Sequence, residues 1–363
     1  MNKVILSTPI ESKKRLYLIL LSTIFSIFFV TAAVGQEIPA FMYYSSLSPQ
    51  TGFPKELQSK RSAVIVNIAD DWKKFATEAH EKLRLMSIDP VLYVDYRDLM
   101  AGDDATGTIL AHLNERKISY LLTFTRNEQG LVELNITDMA GFLKPGQQTS
   151  YRYSSVKLPD LLKYVANELI KAELKKSNFL VAEKPEFLED INAIKGRKFE
   201  VHARDLATLK LAVPKFKKID QELIDKSTDQ APLLAYNRKV DNWNQELVII
   251  LSEFPYKYEL VETIDARELY RQGFQYALFN FHTKGVTIKK MLNMKIDDSE
   301  TEYITNTTGN LLKRQSTNQV VSKFYVKHLY TNDIYTGDKW DADETWQQSL
   351  TNYLYHYRKF VGK

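Results

Sequence analysis

An apolar strand pattern that occurs twice is the feature that most constrains the fold of this chain. Residues 118–138 read ISYLLTFTRNEQGLVELNITD, with a nearly unbroken apolar run from Tyr120 to Phe124 and a later glycine, Gly130. Such a run is typical of a strand covered on both faces of its sheet, and a polar stretch with glycine indicates a turn. The segment therefore predicts two antiparallel strands joined by a turn at Gly130.

The pattern returns in residues 275–296, QYALFNFHTKGVTIKKMLNMKI, where an apolar run from Tyr276 to Phe281 precedes Gly285. The same interpretation predicts a second pair of strands with a turn at Gly285. Two copies of one pattern, so far apart in the chain, indicate an internal repeat. We therefore predict two related α/β units in tandem, residues 61–176 and residues 208–363.

The first unit is predicted to have the order β-α-β-α-β-β-β-α. Its first helix follows Asp70 or Asp71, either of which can cap it. Trp72 and Leu83 then lie on one apolar face of that helix. Pro159 is expected to open the last helix, because proline is favoured in a first helical turn. The five strands are predicted at residues 63–68, 91–96, 120–124, 131–137 and 151–156.

The second unit, predicted to have the same order, contains one ambiguous segment, Leu247–Leu251, whose composition favours a strand. Its context favours a helix, because the apolar spacing that begins at Val240 repeats the spacing that begins at Trp72. Pro255 is expected to end that helix. Strands joined by helical crossovers should run parallel and strands joined by turns antiparallel, so the predicted fold class is α/β with mixed sheets.

Two further segments lie outside the predicted units. Residues 36–60 are rich in serine and proline without periodicity, and we predict a leader segment on the surface. Residues 177–207 form the predicted junction between the units. We expect a short helix opened by Pro185 and a strand near Phe199 in this junction.

The first 35 residues are predicted to be a secretory signal peptide. A basic cluster, residues 13–15, precedes the apolar stretch 16–34, and small residues stand where a signal peptidase cleaves. We expect cleavage between Gly35 and Gln36 and a remainder that does not insert into the membrane. The alternative is an uncleaved helix that anchors the protein to the inner membrane, since a stretch of this length nearly spans a bilayer core.

Composition narrows the class of protein. The chain has 363 residues, of which 44% are hydrophobic, and this suffices for two domain cores. It has no cysteine, which excludes disulfides and a cysteine nucleophile. Basic and acidic residues nearly balance once the first 35 residues are set aside, so no basic face for nucleic acid is indicated. We expect a periplasmic or secreted protein with no nucleic-acid partner.

No motif of known chemistry stands out. Residues 102–108 have the glycine spacing of a phosphate loop, but the lysine is missing, and Asp103 and Asp104 would repel phosphate. The six histidines are scattered, and none has a second histidine at metal-ligand spacing. The carboxylates of residues 338–344 lack the register of a calcium loop and are expected to cap a helix. The sequence therefore predicts no cofactor, no metal and no catalytic residue.

The expected function is binding. Export, duplication and the lack of a catalytic motif favour a non-enzymatic cell-envelope protein whose two modules bind a protein partner or a surface polymer. The alternative is an envelope hydrolase or transferase whose carboxylates are distant in sequence and adjacent in space. A deep pocket with two close carboxylates would favour the enzyme, and shallow grooves would favour binding.

The candidate contact surface lies at the carboxyl ends of the parallel strands, where ligands of α/β sheets meet the loops. The loops of the first unit are mostly acidic there, and those of the second unit are mostly basic. Helix capping and loop solvation explain such residues without any function. The functional alternative is that two edges of opposite charge meet each other or a partner. The candidate binding residues are Asp70, Asp71, Arg97, Asp98, Asp103 and Asp104 in the first unit and Lys215, Lys217, Lys218, His282 and Lys284 in the second.

Overall fold

The structure is a computed structural model that describes residues 49–68, 71–127, 129–139 and 149–362. All elements given below belong to one compact unit, Gly35–Lys363. The predicted signal peptide and its cleavage site lie outside the described residues, and so does Asp70.

Five strands form the first mixed sheet, sheet 1, in the order β2-β1-β3-β4-β5. β1 runs parallel to both β2 and β3, because helices connect these three strands, while β4 is antiparallel to β3 and to β5. β3 and β4 are joined by a turn that includes Gly130, as the sequence predicts. The strands are β1 (Arg61–Asn67), β2 (Asp89–Asp95), β3 (Tyr120–Arg126), β4 (Val132–Asp138) and β5 (Ser150–Ser155).

Four helices accompany sheet 1. The first crosses from β1 to β2, the next two lie between β2 and β3, and the fourth follows β5. The fourth buries leucines and a valine at helical spacing on one face and begins with proline in its first turn, as expected from the sequence. The helices are α1 (Trp72–Leu85), α2 (Tyr96–Leu99), α3 (Asp103–Glu115) and α4 (Leu158–Ala172).

Six strands form the second mixed sheet, sheet 2, in the order β6-β13-β12-β9-β7-β8. β7 is parallel to β8 and β9, β12 is antiparallel to β9 and β13, and β6 is parallel to β13. Apart from β6, sheet 2 has the strand order and pairing directions of sheet 1. The strands are β6 (Lys198–Phe199), β7 (Leu211–Pro214), β8 (Tyr258–Val261), β9 (Tyr276–Lys284), β12 (Val320–His328) and β13 (Ile334–Tyr335).

Five helices accompany sheet 2, which brings the number of α-helices to nine within the described ranges. The second of these five contains Leu247–Leu251, so the prediction that this segment is helical is confirmed. The helices are α5 (Gln221–Lys226), α6 (Ala231–Leu251), α7 (Ala266–Arg271), α8 (Gly285–Met291) and α9 (Trp346–Phe360). Together the two sheets and their helices confirm the α/β fold class with mixed sheets.

The predicted strand turn at Gly285 is wrong. The helix α8 begins at Gly285, and its Ile288 and Met291 are fully buried on one face. A Cβ atom on Gly285 would lie 3.2 Å from the ring of Tyr303, so this glycine permits close packing instead of a strand turn.

The antiparallel partner of β9 is β12, which the sequence analysis did not pair with it. The insertion between them holds α8 and a separate two-stranded sheet, β10 (Glu302–Asn306) and β11 (Leu312–Ser316). The order predicted for the second unit therefore lacks these three elements.

Two predictions about the segments outside the units also differ from the structure. Leu57 is fully buried, and Phe53 stacks on Tyr153 with ring centroids 4.9 Å apart, so the end of the leader packs into the core. No helix begins at Pro185. The chain is extended there, and residues 186–188 exchange two backbone hydrogen bonds with Tyr93 of β2, because an edge strand has free backbone groups.

A shared core joins the two sheets. It contains Ile65 and Leu121 of sheet 1, Phe281 and Tyr325 of sheet 2, and Ile109 of α3 between them. The opposite face of each sheet packs on its own helices, on α1 and α4 for sheet 1 and on α6 and α9 for sheet 2. Burial on both faces explains the nearly unbroken apolar runs of β3 and β9.

Candidate functional site

The loop that follows β2 packs against β9. The backbone N–H of His282 donates to the carbonyl oxygen of Ala101 at 2.6 Å. Gly102 next to it has φ 145°, and a Cβ atom there would lie only 2.4 Å from the carbonyl oxygen of Asn280, so only glycine fits. We call this contact the seam. It is formed by residues 95–104 on the side of sheet 1 and by residues 280–284, Tyr325 and Lys327 on the side of sheet 2.

Asp95 is the most buried carboxylate of the seam. Its side chain is only 2% exposed. It accepts a hydrogen bond from the backbone N–H of Arg97 at 2.9 Å and two from the Arg97 guanidinium at 3.1 and 2.9 Å. From the other sheet, Lys284 Nζ lies 3.7 Å from Asp95 Oδ2. Two cations therefore compensate this buried charge, as a buried carboxylate requires.

Asp98 also contacts sheet 2. Thr283 Oγ1 donates a hydrogen bond to Asp98 Oδ1 at 3.0 Å. Burial and the neighbouring charge of Asp95 raise the pKa of Asp98 to about 6, although the Thr283 bond, Lys284 and Arg97 oppose this increase. Asp98 therefore changes its charge near neutral pH.

Asp104, at the start of α3, makes the strongest contacts across the seam. Its carboxylate accepts from Lys327 Nζ at 2.6 Å and from the Tyr325 hydroxyl at 2.7 Å. The Asp104 and Lys327 side chains are 16% and 14% exposed. Charged hydrogen bonds in such a partly dry environment are stronger than those of a surface ion pair. Both bonds of Asp104 are thus made within the protein.

Asp103 lies beside Asp104 at the rim of the seam. Its side chain remains exposed to solvent, yet desolvation by the surrounding protein and the charge of Asp104 raise its pKa to about 6. Lys327 and Lys217 oppose this increase, which places Lys217 within electrostatic reach of the acidic edge. Solvent screens the charges around Asp103 more than those around Asp98.

His282 contacts a serine in the same sheet. Its Nδ1 atom lies 2.8 Å from Ser322 Oγ. Ser322 is fully buried, and its backbone exchanges two hydrogen bonds with Asp343. A histidine next to a hydroxyl is one element of a nucleophilic site, but a serine without solvent access does not meet a substrate. The contact therefore holds β9 to β12.

The basic candidates Lys215, Lys217 and Lys218 lie on an extended strap, residues 215–220, that follows β7. Two asparagines of α6, two turns apart, hold the strap by its backbone. Asn244 bonds both the N–H and the C=O of Phe216 at 2.9 and 3.1 Å. Asn237 does the same for Ile219 at 2.8 and 2.9 Å.

Most of the charge on this strap is neutralised locally. Lys215 forms an ion pair with Glu262, and Lys218 forms one with Asp241. Lys217 is exposed, and its field reaches Asp103. The predicted basic edge is therefore close to neutral, with Lys217 as its remaining link to the seam.

The remaining candidates at the start of α1 have a local explanation. Asp71 caps α1 by accepting a hydrogen bond from the backbone N–H of Lys74 at 3.2 Å. Helix capping explains this residue without any binding function. The structure thus brings Arg97, Asp98, Asp103, Asp104, His282 and Lys284 together at the seam. It leaves Asp71 and the three lysines of the strap outside it.

Sequence analysis missed several residues of the seam. Asp95 reads as the last residue of a strand, and Thr283, Tyr325 and Lys327 belong to apolar or mixed strand patterns. The one signal in the sequence is a charged residue within a strand pattern, as at Lys327, which could have indicated that this side chain pairs with an opposite charge inside the protein. Its match with Asp104 depends on how the two sheets pack.

Two open grooves lie on the outside of the body. The first, of about 670 Å³, is bounded by the 49–53 segment, β5 and α4, and Tyr153, Tyr164, Glu168 and Lys171 line it. The second, of about 650 Å³, lies between the strap and α6. Both have the size of small-ligand or peptide sites.

Three searches gave no match. Among the residues that the structure describes, no group of histidine and carboxylate side chains is arranged to hold a metal ion. In the same residues, no helix is both long and apolar enough to cross a membrane. No family model matches the chain, and no similar protein was found among curated proteins or among solved structures.

Proposed function

We propose that this chain is an exported, non-enzymatic envelope protein that binds a protein partner or a surface polymer. The observation that carries the proposal is the contrast between the seam and the grooves. Carboxylates of the seam are bound by the chain's own cations and hydroxyl groups, as in the bonds of Asp104 with Lys327 and Tyr325. Two open grooves of the described residues lie away from the seam, on the outside of the body.

The role of the seam in this proposal is to hold the two sheets in one fixed arrangement. Acidic side chains of sheet 1 meet individual cations of sheet 2 there, and the predicted basic edge as a whole does not take part. Asp104 and Lys327 supply the paired charges, and Asp95 and Lys284 add a second pair across the same boundary. A fixed arrangement of the sheets lowers the entropic cost of ordering the protein on binding.

We also propose that the two sheets arose by tandem duplication. The shared strand order and pairing directions support this. Buried positions support it as well, since Trp72 and Leu83 of α1 correspond to Val240 and Leu251 of α6. In an experimentally determined structure, superposition of the two sheets should align α1 with α6. A superposition that aligns the strands but not these helices would contradict the duplication.

Binding at the grooves is tested by photo-crosslinking in cells. A photoreactive amino acid in place of Tyr164 reports on the first groove, and one in place of Val248 reports on the second; both residues are exposed. A matched control replaces the exposed Leu85 outside the grooves. If the partner is a protein, we expect crosslinks to it from the groove positions. If the partner is a polymer, we expect the protein to co-sediment with insoluble envelope material, and substitutions in the grooves should weaken this co-sedimentation. Grooves that behave like the control in both assays would refute the proposal.

Export is tested separately. We propose that the mature chain begins at or next to Gln36 and is periplasmic or secreted. Sequencing of the N-terminus after cell fractionation should find this start in a fraction released without detergent. An intact Met1 on membrane-bound protein would instead support the anchored alternative.

A hydrolase or transferase is the second candidate, and one observation favours it. The pKa values of Asp98 and Asp103 are both raised to about 6, which is the range of a general acid near neutral pH. Activity of this kind should be lost on Asp98→Asn or Asp103→Asn while binding at the grooves persists. Chromogenic glycosides and esters, incubated with the wild type and both variants, test it. Equal rates in all three proteins would eliminate this candidate.

A further inference from the structure

The hairpin of β10 and β11 carries exposed apolar side chains on its outer face. Ile304 is 53% exposed and Leu312 is 67% exposed, and Leu311 next to it is similarly open. The other face of the same hairpin is buried, with Tyr303 and Thr305 packed towards the body. The hairpin belongs to the insertion between β9 and β12, which has no counterpart between β3 and β4.

The strand register places the outer residues next to one another. Ile304 lies opposite Arg314, and Leu312 lies opposite Asn306, so Ile304 and Leu312 are diagonal neighbours on one face. Glu302 and Arg314 lie on the same face, with their charged groups 3.6 Å apart and both side chains mostly exposed. The face therefore consists of an apolar centre beside one acidic and one basic side chain.

We propose that this outer face is the contact surface of a homodimer, in which two copies of the hairpin meet around a two-fold axis. Such an isologous contact requires a patch that is complementary to itself. An apolar centre buries against its own copy. Glu302 and Arg314 pair with each other within one copy, and across the axis each exchanges that partner for the matching residue of the second copy. This charge complementarity favours a second copy over a partner of a single charge sign. The inference concerns oligomeric state and goes beyond the proposed binding function.

Sedimentation velocity of the purified full chain over a wide concentration range tests the apolar centre. We expect a concentration-dependent dimer in the wild type and at least about tenfold weaker association when Ile304→Glu is combined with Leu312→Glu. The matched control is Ile249→Glu, at an exposed position on α6. The wild type and all variants are prepared with the same N-terminus, so any effect of that segment is common to them. Circular dichroism verifies that each variant is folded.

A charge-swap experiment tests the facing of the two charged residues. Glu302→Arg alone and Arg314→Glu alone each place like charges across the axis, so each variant should dimerise weakly. An equimolar mixture of the two variants should restore association, because each then offers the charge that the other lacks. A mixture that stays monomeric would overturn the proposed arrangement. A wild type that is monomeric throughout, or hairpin variants that dimerise like the control, would overturn the dimer and leave the face to another partner.

Discussion

The substitution Asp98→Asn should remove a pH dependence that this carboxylate gives to folding. Burial next to Asp95 raises the pKa of Asp98 from an ordinary 3.8 to about 6 in the folded protein. A carboxyl group with a higher pKa in the folded state binds its proton more tightly there than in the unfolded chain. Its stabilising contribution is therefore fully present at low pH and is lost as the pH rises through the folded-state pKa of about 6.

The size of this effect follows from the two pKa values. Between pH 5 and pH 7.5, ionisation of Asp98 lowers the free energy of unfolding by about 1.4 kcal/mol. Asparagine has nearly the same size, keeps an oxygen that accepts from Thr283, and does not titrate. The difference in stability between wild type and variant should therefore change by about 1.4 kcal/mol over this range, with the variant gaining at the higher pH.

Urea unfolding at pH 5, 6 and 7.5 measures this difference. Asp298→Asn, at an exposed loop position, is the matched control, and the effect specific to Asp98 is the difference between the two variants. Asp103 contributes a dependence of the same sign, which remains in the Asp98 variant and cancels in the comparison. If Asp98→Asn shifts stability by one constant amount at all three pH values, Asp98 titrates normally and the argument from burial is refuted.

The other predictions concern contacts that the fold creates over long sequence distances. Lys323→Met should destabilise the protein by about 3–5 kcal/mol, because Lys323 Nζ lies 2.8 Å from Asp341 Oδ1 and both side chains are almost fully buried. Adding Asp341→Leu should recover most of that loss of stability, as measured by urea unfolding. A double variant that recovers nothing would contradict the ion-pair explanation. Asn244→Ala should lower the free energy of unfolding by about 1–3 kcal/mol, because the backbone N–H and C=O of Phe216 then lose their partners. The control Gln245→Ala, at an exposed position, should leave stability unchanged. Equal changes of the melting temperature in the two variants would refute the role of Asn244. Tyr325→Phe should cost about 1.5–3 kcal/mol through loss of the bond to Asp104, and a thermal unfolding curve identical to that of the wild type would contradict it.

Contacts across the seam change what charge reversal can test. If Asp103 and Asp104 formed an exposed acidic edge, replacing both by lysine would alter partner binding without altering stability. Asp104, however, accepts two charged hydrogen bonds with Lys327 and Tyr325 at low exposure. Its reversal would place two cations together in a partly dry environment and so destabilise the fold. Only the exposed Asp103 remains suitable for a charge reversal that leaves the fold intact.

The sequence by itself determined the elements whose signals are local. The helices α1 and α6 follow from apolar spacing over about four turns, and this spacing outweighed the strand composition of Leu247–Leu251. The hairpin of β3 and β4 follows from two strands and the turn at Gly130 between them. Local periodicity is informative because burial of one face imposes it on every helix or strand, whatever lies on the other side.

Only the tertiary structure decided which of these elements meet. The partner of β9 lies beyond an insertion, and the close packing at Gly285 is with the ring of Tyr303 in another element. The seam joins Asp98 to Thr283 and Asp104 to Lys327, pairs that no spacing within the chain relates. A charged residue in a loop has the same local pattern whether it caps a helix, faces solvent or binds a cation. Its role is fixed only when packing of the two sheets through their shared core sets which side chains lie within hydrogen-bond distance and how much water remains around them.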